Sequence, residues 1–265
     1  MTADKLNILI TGGSSASGIA VARAFARAGH RVTTVGSDDV RIKAAAMQAG
    51  PGVEALSFDL SSLDSVRELA AAVRGSAGSV DGVIHLVGGW RGASGIEDQS
   101  DEDWYALEQS NVTTLRNVSR VFYGDLEASP VGRLAMVSST TVAAPTAAAA
   151  SYAAAKAAAE TWTMAVAEGF HRAQAGGPGI EQHSSTEQHS STEQHSSTEQ
   201  HSSTEQHSAA VVFVVKALVD DAMRQEHPER KFPGYTDVEE LATAALRLFD
   251  QPAAELNGQR LHLAK

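Results

Sequence analysis

The chain contains no cysteine, which excludes disulfides and thiolate chemistry of any kind. Aromatic residues make up only 5% of its 265 positions, so the interior must be built from aliphatic side chains, and the abundant alanine suits closely packed helices. Basic residues are outnumbered 21 to 32, for a formal charge of −11, and they form no cluster. Such a surface argues against nucleic acid or an anionic membrane as partner. No apolar run approaches the roughly 20 residues of a membrane span. The opening stretch MTADKLNILITGG has the form of neither a secretory signal nor an anchor. A cytoplasmic protein is the expectation.

One segment lacks hydrophobic residues altogether. Residues 181–208 are four copies of EQHSST and a truncated fifth, and they carry five glutamates and five histidines with no lysine or arginine. A stretch without apolar side chains cannot offset the entropy of ordering itself. Six-residue spacing also lacks the i, i+4 geometry of helical metal ligands, so no metal site is expected. Protonation of the histidines between about pH 7 and 5.5 would bring the segment close to neutrality, which leaves pH-dependent association as a possibility for it.

All the hydrophobic residues, 43% of the whole chain, lie outside this segment. Short β-branched runs at 5–11, 31–35, 53–58, 83–87, 133–138, 210–215 and 260–263 alternate with helical stretches, notably 17–28, 101–126 and 151–174. Strands separated by helices imply parallel pairing through right-handed crossovers, with helices on both faces. The expected fold class is α/β: a doubly wound, Rossmann-type sheet of about seven strands in three αβα layers. We expect one domain over 1–265, with the 181–208 repeat inserted as a surface loop between the helix ending near Gln174 and the sixth strand.

Thr11-Gly12-Gly13-Ser14-Ser15-Ala16-Ser17-Gly18 follows the first strand and opens the first helix. Glycine there lets the backbone turn tightly and approach a pyrophosphate seated on the positive helix terminus. The end of the second strand, where an acid would hold a ribose 2′-hydroxyl and a base a 2′-phosphate, reads Val35-Gly36-Ser37-Asp38-Asp39-Val40-Arg41. Gly36 holds the usual position of the acid. Ser37 and Arg41 suit a phosphate and Asp38 opposes one, so NAD and NADP both stay open. Asp59, just after the third strand, by its position suits a helix N-cap.

Further along, Tyr152 and Lys156 lie four apart on one helical face. Ser139 ends the fifth strand thirteen residues before the tyrosine, and Asn111 lies within the preceding long helix. Together with the glycine turn and the Asp59-Leu60 pair, these residues resemble the short-chain dehydrogenase/reductase family, in its TGxxxGxG turn and its Asn–Ser–Tyr–Lys tetrad. The resemblance runs from Lys5 to Leu263 outside the repeat.

It implies an NAD(P)-dependent oxidoreductase that moves hydride between nicotinamide and a carbonyl/alcohol substrate. Asn111, Ser139, Tyr152 and Lys156 would be catalytic. Gly12, Ser14, Ser15, Ser17, Gly18, Ser37, Asp59, Leu60, Val87, Gly88, Tyr152, Lys156 and Val219 would bind the cofactor. Tyr152, with an ordinary pKa near ~10, would serve as general acid/base once Lys156 and the oxidised nicotinamide favour its phenolate. Ser139 would hold the reacting oxygen, and Asn111 a water leading towards Lys156. The resemblance further implies a homotetramer or dimer packed through the helices beginning at Asp101 and Ser151, and a pocket closed by residues 218–235.

The departures from the family pattern are Ala16 for the middle glycine, His85-Leu86-Val87-Gly88 for NNAG, Lys216-Ala217 for Pro-Gly, and the absent Asp-Gly-Gly tail. His85 is either a group titrating near neutrality or a satisfied structural imidazole. Lys216 is expected to face solvent. These losses also leave a second reading, a dinucleotide-binding scaffold or sensor with little turnover.

Overall fold

The computed structural model describes residues 5–175 and 206–263. Seven parallel strands form the main sheet: β1 (Asn7–Thr11), β2 (Arg31–Gly36), β3 (Val53–Ser57), β4 (Gly82–His85), β5 (Arg133–Ser139), β6 (Ala209–Val215) and a last strand, Arg260–His262. Their spatial order is β3-β2-β1-β4-β5-β6 followed by that last strand. The chain winds outward from β1 to β3, then crosses back to lay β4 on the other side of β1. This reversal opens a crevice beyond the carboxyl ends of β1 and β4, where ligands of such sheets bind.

Alternation along β1 divides the core. Ile8 and Ile10 pack on one face with Phe25, Phe213 and Leu241, whereas Leu9 packs on the other with Leu69, Phe122 and Phe170. β6, with sequence AAVVFVV, is buried at every position, as a strand covered on both faces must be. The covering helices are α1 (Ala16–Arg27), α2 (Asp39–Ala49), α3 (Leu63–Ala77), α4 (Asp101–Glu108), α5 (Thr114–Ala128) and α6 (Ala150–Gln174). None of the described helices is long and apolar enough to cross a membrane.

One expected element is divided. The long helix anticipated over 101–126 is broken at Gln109–Thr113, where one π-helical turn separates α4 from α5. A π turn inserts an extra residue into the helical period and re-aims the side chains on it. Asn111 lies on that turn and is buried. β4 also closes at His85 rather than Val87, which frees Val87 and Gly88 to line the crevice.

After β6 the chain forms a small cap: β7 (Leu218–Val219), α7 (Asp221–Glu226) and β8 (Thr236–Asp237), with β7 and β8 paired in parallel. Two further helices, α8 (Val238–Arg247) and α9 (Ala253–Leu256), lead into β9 (Arg260–His262). Residues 181–205 of the repeat, and the expectations placed on them, lie outside the described residues.

The final Gln206-His207-Ser208 is described and enters β6. Gln174 Oε1 accepts the N–H groups of His207 and Ser208, each at 3.0 Å, and its Nε2 donates to Ser208 Oγ at 2.7 Å. Ser208 Oγ in turn donates to the Leu126 carbonyl at 2.7 Å. The guanidinium of the buried Arg133 donates to the His207, Leu248 and Gln251 carbonyls, each at 2.8 Å. Burial lowers the pKa of Arg133 to about 10. All of this lies at the amino end of the sheet, opposite the crevice.

Candidate active site

The glycine turn is shaped by close approach. Gly12 has a φ of +76°, a region that favours glycine. The Gly12 and Gly13 N–H groups both donate to the Val35 carbonyl at 3.0 Å. Ser15 caps α1: its Oγ accepts from Gly18 N at 3.0 Å and donates to the Gly12 carbonyl at 2.8 Å. A methyl group on Gly18 would come within 2.5 Å of the Gly12 oxygen, so only glycine lets the helix close on the turn. The positive end of α1 thus meets a tight turn carrying the hydroxyls of Ser14, Ser15 and Ser17, a setting suited to a pyrophosphate.

Gly12, Ser14, Ser15, Ser37, Asp59, Leu60, Val87 and Gly88 line a groove of about 430 Å³, together with Gly36, Arg41 and Ser110. Asp38 is committed elsewhere. It caps α2, accepting from Arg41 N at 2.8 Å, while the Arg41 side chain borders the groove. A methyl group on Gly36 would lie 2.7 Å from Ser14 Oγ, so a side chain at the usual acid position would require the Ser14 hydroxyl to swing aside. The N-cap of α3 is Ser62 rather than Asp59. The Asp59 carboxylate instead accepts from Ser61 N at 2.9 Å and Ser61 Oγ at 2.7 Å, at the groove wall.

A second cavity, of about 420 Å³, shares Ser15, Leu86, Val87 and Gly88 with the groove. Ser17, Ser139, Tyr152 and Lys156 line it, with Trp90, Thr141, Lys216 and Leu218. Ser139 stands at the end of β5 and Tyr152 in the first turn of α6; burial pushes the Tyr152 pKa up, against the smaller opposing effect of the Ser139 hydroxyl. Ser139 Oγ also accepts from Thr141 Oγ1 at 2.9 Å. Lys156 Nζ stands 5.9 Å from the Tyr152 ring centroid and donates to the Val137 carbonyl at 2.8 Å. Burial lowers the Lys156 pKa to about 8, against the opposing pull of Glu160.

Asn111 does not line either cavity, yet it faces their junction. Its Nδ2 donates to the Leu107 carbonyl at 2.9 Å and to Ser110 Oγ at 3.2 Å. Its buried Oδ1 has no hydrogen-bond partner among the described residues. A methyl group on Gly88 would lie 2.7 Å from that oxygen and 3.2 Å from Lys156 Nζ. A buried acceptor beside a cationic donor and a lining glycine fits a dinucleotide site that also carries water.

The structure resolves the alternatives for His85. It is buried, with Nδ1 2.8 Å from Thr11 Oγ1 and Nε2 3.2 Å from Thr114 Oγ1. Because Thr114 gives its proton to the Ser110 carbonyl at 2.7 Å, Nε2 is the donor and Nδ1 the acceptor of a neutral imidazole. Burial, followed by the charge of Lys156, lowers its pKa to about 3.

Besides Asn111, two expected residues lie off the cavities. Val219 is buried in β7, and Leu218 reaches the cavity in its place. Gly18 acts beneath the turn. Lys216 is exposed but borders the cavity, with Nζ 3.0 Å from the Pro233 carbonyl. No sequence motif singles out Thr141 or Glu160, although one lies two residues after Ser139 and the other four after Lys156.

The family model described as short chain dehydrogenase matches residues 6–176. A serine 3-dehydrogenase of Agrobacterium fabrum is 29% identical over 112 residues, 42% of this chain and 45% of the relative. An acetoacetyl-CoA reductase of Shinella zoogloeoides is 28% identical over 133 residues, 49% and 54% of the two chains. The chain thus spans about half the length of the curated relatives it matches.

Among solved structures, a 3-ketoacyl-(acyl-carrier-protein) reductase from Brucella melitensis complexed with NADH aligns with a TM-score of 0.75 at 20% identity, covering 98% of this chain and 96% of the other. A gluconate 5-dehydrogenase from Burkholderia cenocepacia in complex with NADP and tartrate aligns at 0.74 and 20%, covering 98% and 94%. At such identities these neighbours speak for the fold. With the family model matching well over half of it, the chain belongs to the short chain dehydrogenase family.

Proposed function

We propose that the protein is an NAD(P)-dependent oxidoreductase acting on a carbonyl/alcohol pair, with Tyr152 as general acid/base. The observation that carries this reading is convergence: Ser139, Tyr152 and Lys156 line one cavity that joins the groove of the glycine turn through Ser15, Leu86, Val87 and Gly88. A bound dinucleotide would supply or accept the hydride at carbon. Gly12, Ser14, Ser15 and Ser17 would hold its pyrophosphate at the start of α1, with Asp59 and Leu60 at the adenine.

In the reducing direction the Tyr152 hydroxyl gives its proton to the carbonyl oxygen as carbon gains hydride, and the product is an alcohol. Ser139 donates to the same oxygen and fixes its distance from Tyr152. Charged Lys156 stabilises the resulting phenolate. Asn111 Oδ1, facing Lys156 across Gly88, would accept from a water that returns the proton. The scaffold reading loses ground because the groups needed for turnover face one space.

Three finer readings accompany this one. Gly36 without a side chain, Asp38 turned into its helix and Arg41 at the groove favour NADP over NAD. Exposed Trp104 and Tyr105 on α4 favour a homo-oligomer packed through α4 and α6. The repeat is read as an insertion within a single domain, and the protein as cytoplasmic.

The deciding experiment pairs dinucleotide binding, followed by nicotinamide fluorescence, with turnover over a carbonyl panel. Tyr152→Phe should bind as the parent does and lose about a thousandfold in rate, within the range of general acid–base contributions. Absence of dinucleotide binding, or a Tyr152→Phe variant as fast as the parent, would overturn the reading.

A further inference from the structure

Glu160 is a buried carboxylate that the proposed reaction does not use. It lies one helical turn beyond Lys156 on α6, with its side chain 7% exposed. A lone charge at such depth is costly, and its partners come from two separate strands. Ser138 Oγ donates to it from β5 in a short hydrogen bond. Arg260 Nη2 approaches from β9, 2.9 Å from the second carboxylate oxygen and 3.2 Å from the first.

These contacts fall directly behind the catalytic cluster. Lys156 Nζ holds the Val137 carbonyl, Glu160 holds the Ser138 hydroxyl, and the next residue is Ser139. Two consecutive residues of β5 are thus clamped by two residues one turn apart on α6. We propose that Glu160 is a positioning residue: braced by Arg260, it seats the end of β5 beneath Ser139 and keeps Lys156 charged.

The charged and titratable groups facing Lys156 among the described residues are few. Tyr152 and Glu160 share its helix, His85 lies at the end of β4, and Arg260 stands behind Glu160 on β9. His85 is neutral in its hydrogen bonds to Thr11 and Thr114, and Arg260 is cationic. The β5 carbonyl and hydroxyls and the π-turn Asn111 are uncharged. Glu160 is therefore the negative charge available to a lysine whose burial favours its neutral form.

The inference rests on the reading of Lys156 as a catalytic group, but its principal test does not need turnover. In protein labelled with 13C at lysine Cε, the Lys156 resonance is assigned by its loss in Lys156→Met and titrated in the parent and in Glu160→Gln. The midpoint should fall by about one to two units, as expected for losing one charge at helical i, i+4 range in a partly screened interior. An unchanged midpoint would overturn the proposal.

Glu160→Gln leaves Arg260 without its partner and is the variant most prone to misfold. The charge-balanced Glu160→Gln/Arg260→Gln double variant guards against this, compared with Arg260→Gln alone. The double variant should again show the lower midpoint, and equal midpoints would sink the idea. On a working substrate, the alkaline limb of the kcat/KM profile should move to lower pH by the same amount. A purely structural role would depress the rate evenly across pH. If the resonance moves and no variant or parent turns over any carbonyl, the reaction assignment fails and the role of Glu160 stands.

Discussion

The side-chain oxygen of Asn111 lies against Gly88, so closely that a methyl group at position 88 would come within 2.7 Å of it. The same methyl would stand 3.2 Å from Lys156 Nζ. Gly88→Ala should therefore push apart the two groups that face each other there, while the sheet beneath is untouched. The expected outcome is a loss of about one to two orders of magnitude in kcat, typical of an ångström-scale displacement, with a lowered melting temperature as well, because Gly88 has a φ of +158° that alanine rarely adopts. Steady-state kinetics together with thermal denaturation check it. A variant with parental kcat would mean that the junction between Asn111 and Lys156 carries no proton traffic.

That junction shows where the sequence was legible and where it stopped. β1 and the glycine turn are local signals, a short apolar run followed by residues that only a tight backbone needs, and they read directly. Tyr152 and Lys156 read equally well, because a four-residue spacing fixes their common face. Asn111 was readable as a member of the set but not in its geometry. Periodicity runs smoothly through 101–126, and nothing in it marks the π turn that re-aims the side chain. The Glu160–Arg260 pair spans 100 residues of chain. Only the sheet order, which sets β9 beside β6, brings Arg260 within reach. The His85 alternatives likewise needed Thr11 and Thr114, hydroxyls from two different elements, to be settled.

The cofactor preference turns on Arg41. It lines the groove beside Ser37 while Asp38 caps α2. Its guanidinium is largely exposed and only loosely paired with the Asp38 carboxylate, 3.7 Å from Nε, so it is available to a 2′-phosphate. Arg41→Ala should raise KM for NADPH about tenfold, the effect of one charge-assisted contact of roughly 1.4 kcal/mol, and leave KM for NADH within a factor of two. Parallel shifts for both dinucleotides would count against the assignment.

His85 makes acid sensitivity predictable. Its pKa in the folded protein is lowered to about 3 from an ordinary 6.5. Between those values the unfolded chain binds a proton that the folded chain refuses, so stability falls as pH drops from about 6.5 towards 3. By pH 5 the cost is on the order of 2 kcal/mol. His85→Gln keeps polar atoms near Thr11 and Thr114 without this titration. Its melting temperature should decline less than the parent's between pH 7 and 5. Equal declines would show that His85 accepts its proton without resistance.

Where the repeat meets the fold, the contacts rather than the repeat pattern determine what can be removed. Deleting 181–204 takes out four whole hexapeptides and leaves Gln206, His207 and Ser208 to reach the Gln174 amide and the Arg133 guanidinium. Deleting 181–208 removes the residues that join α6 to the start of β6. Ser208 is completely buried between Gln174 and the Leu126 carbonyl. Ser208→Ala alone should thus cost about 2 kcal/mol, the price of leaving buried polar groups without a partner. Denaturant titration should place the shorter deletion near the parent, and both Ser208→Ala and the longer deletion clearly below it. If the longer deletion proved as stable as the shorter, the Gln174 clasp would be incidental to the way β6 enters the sheet.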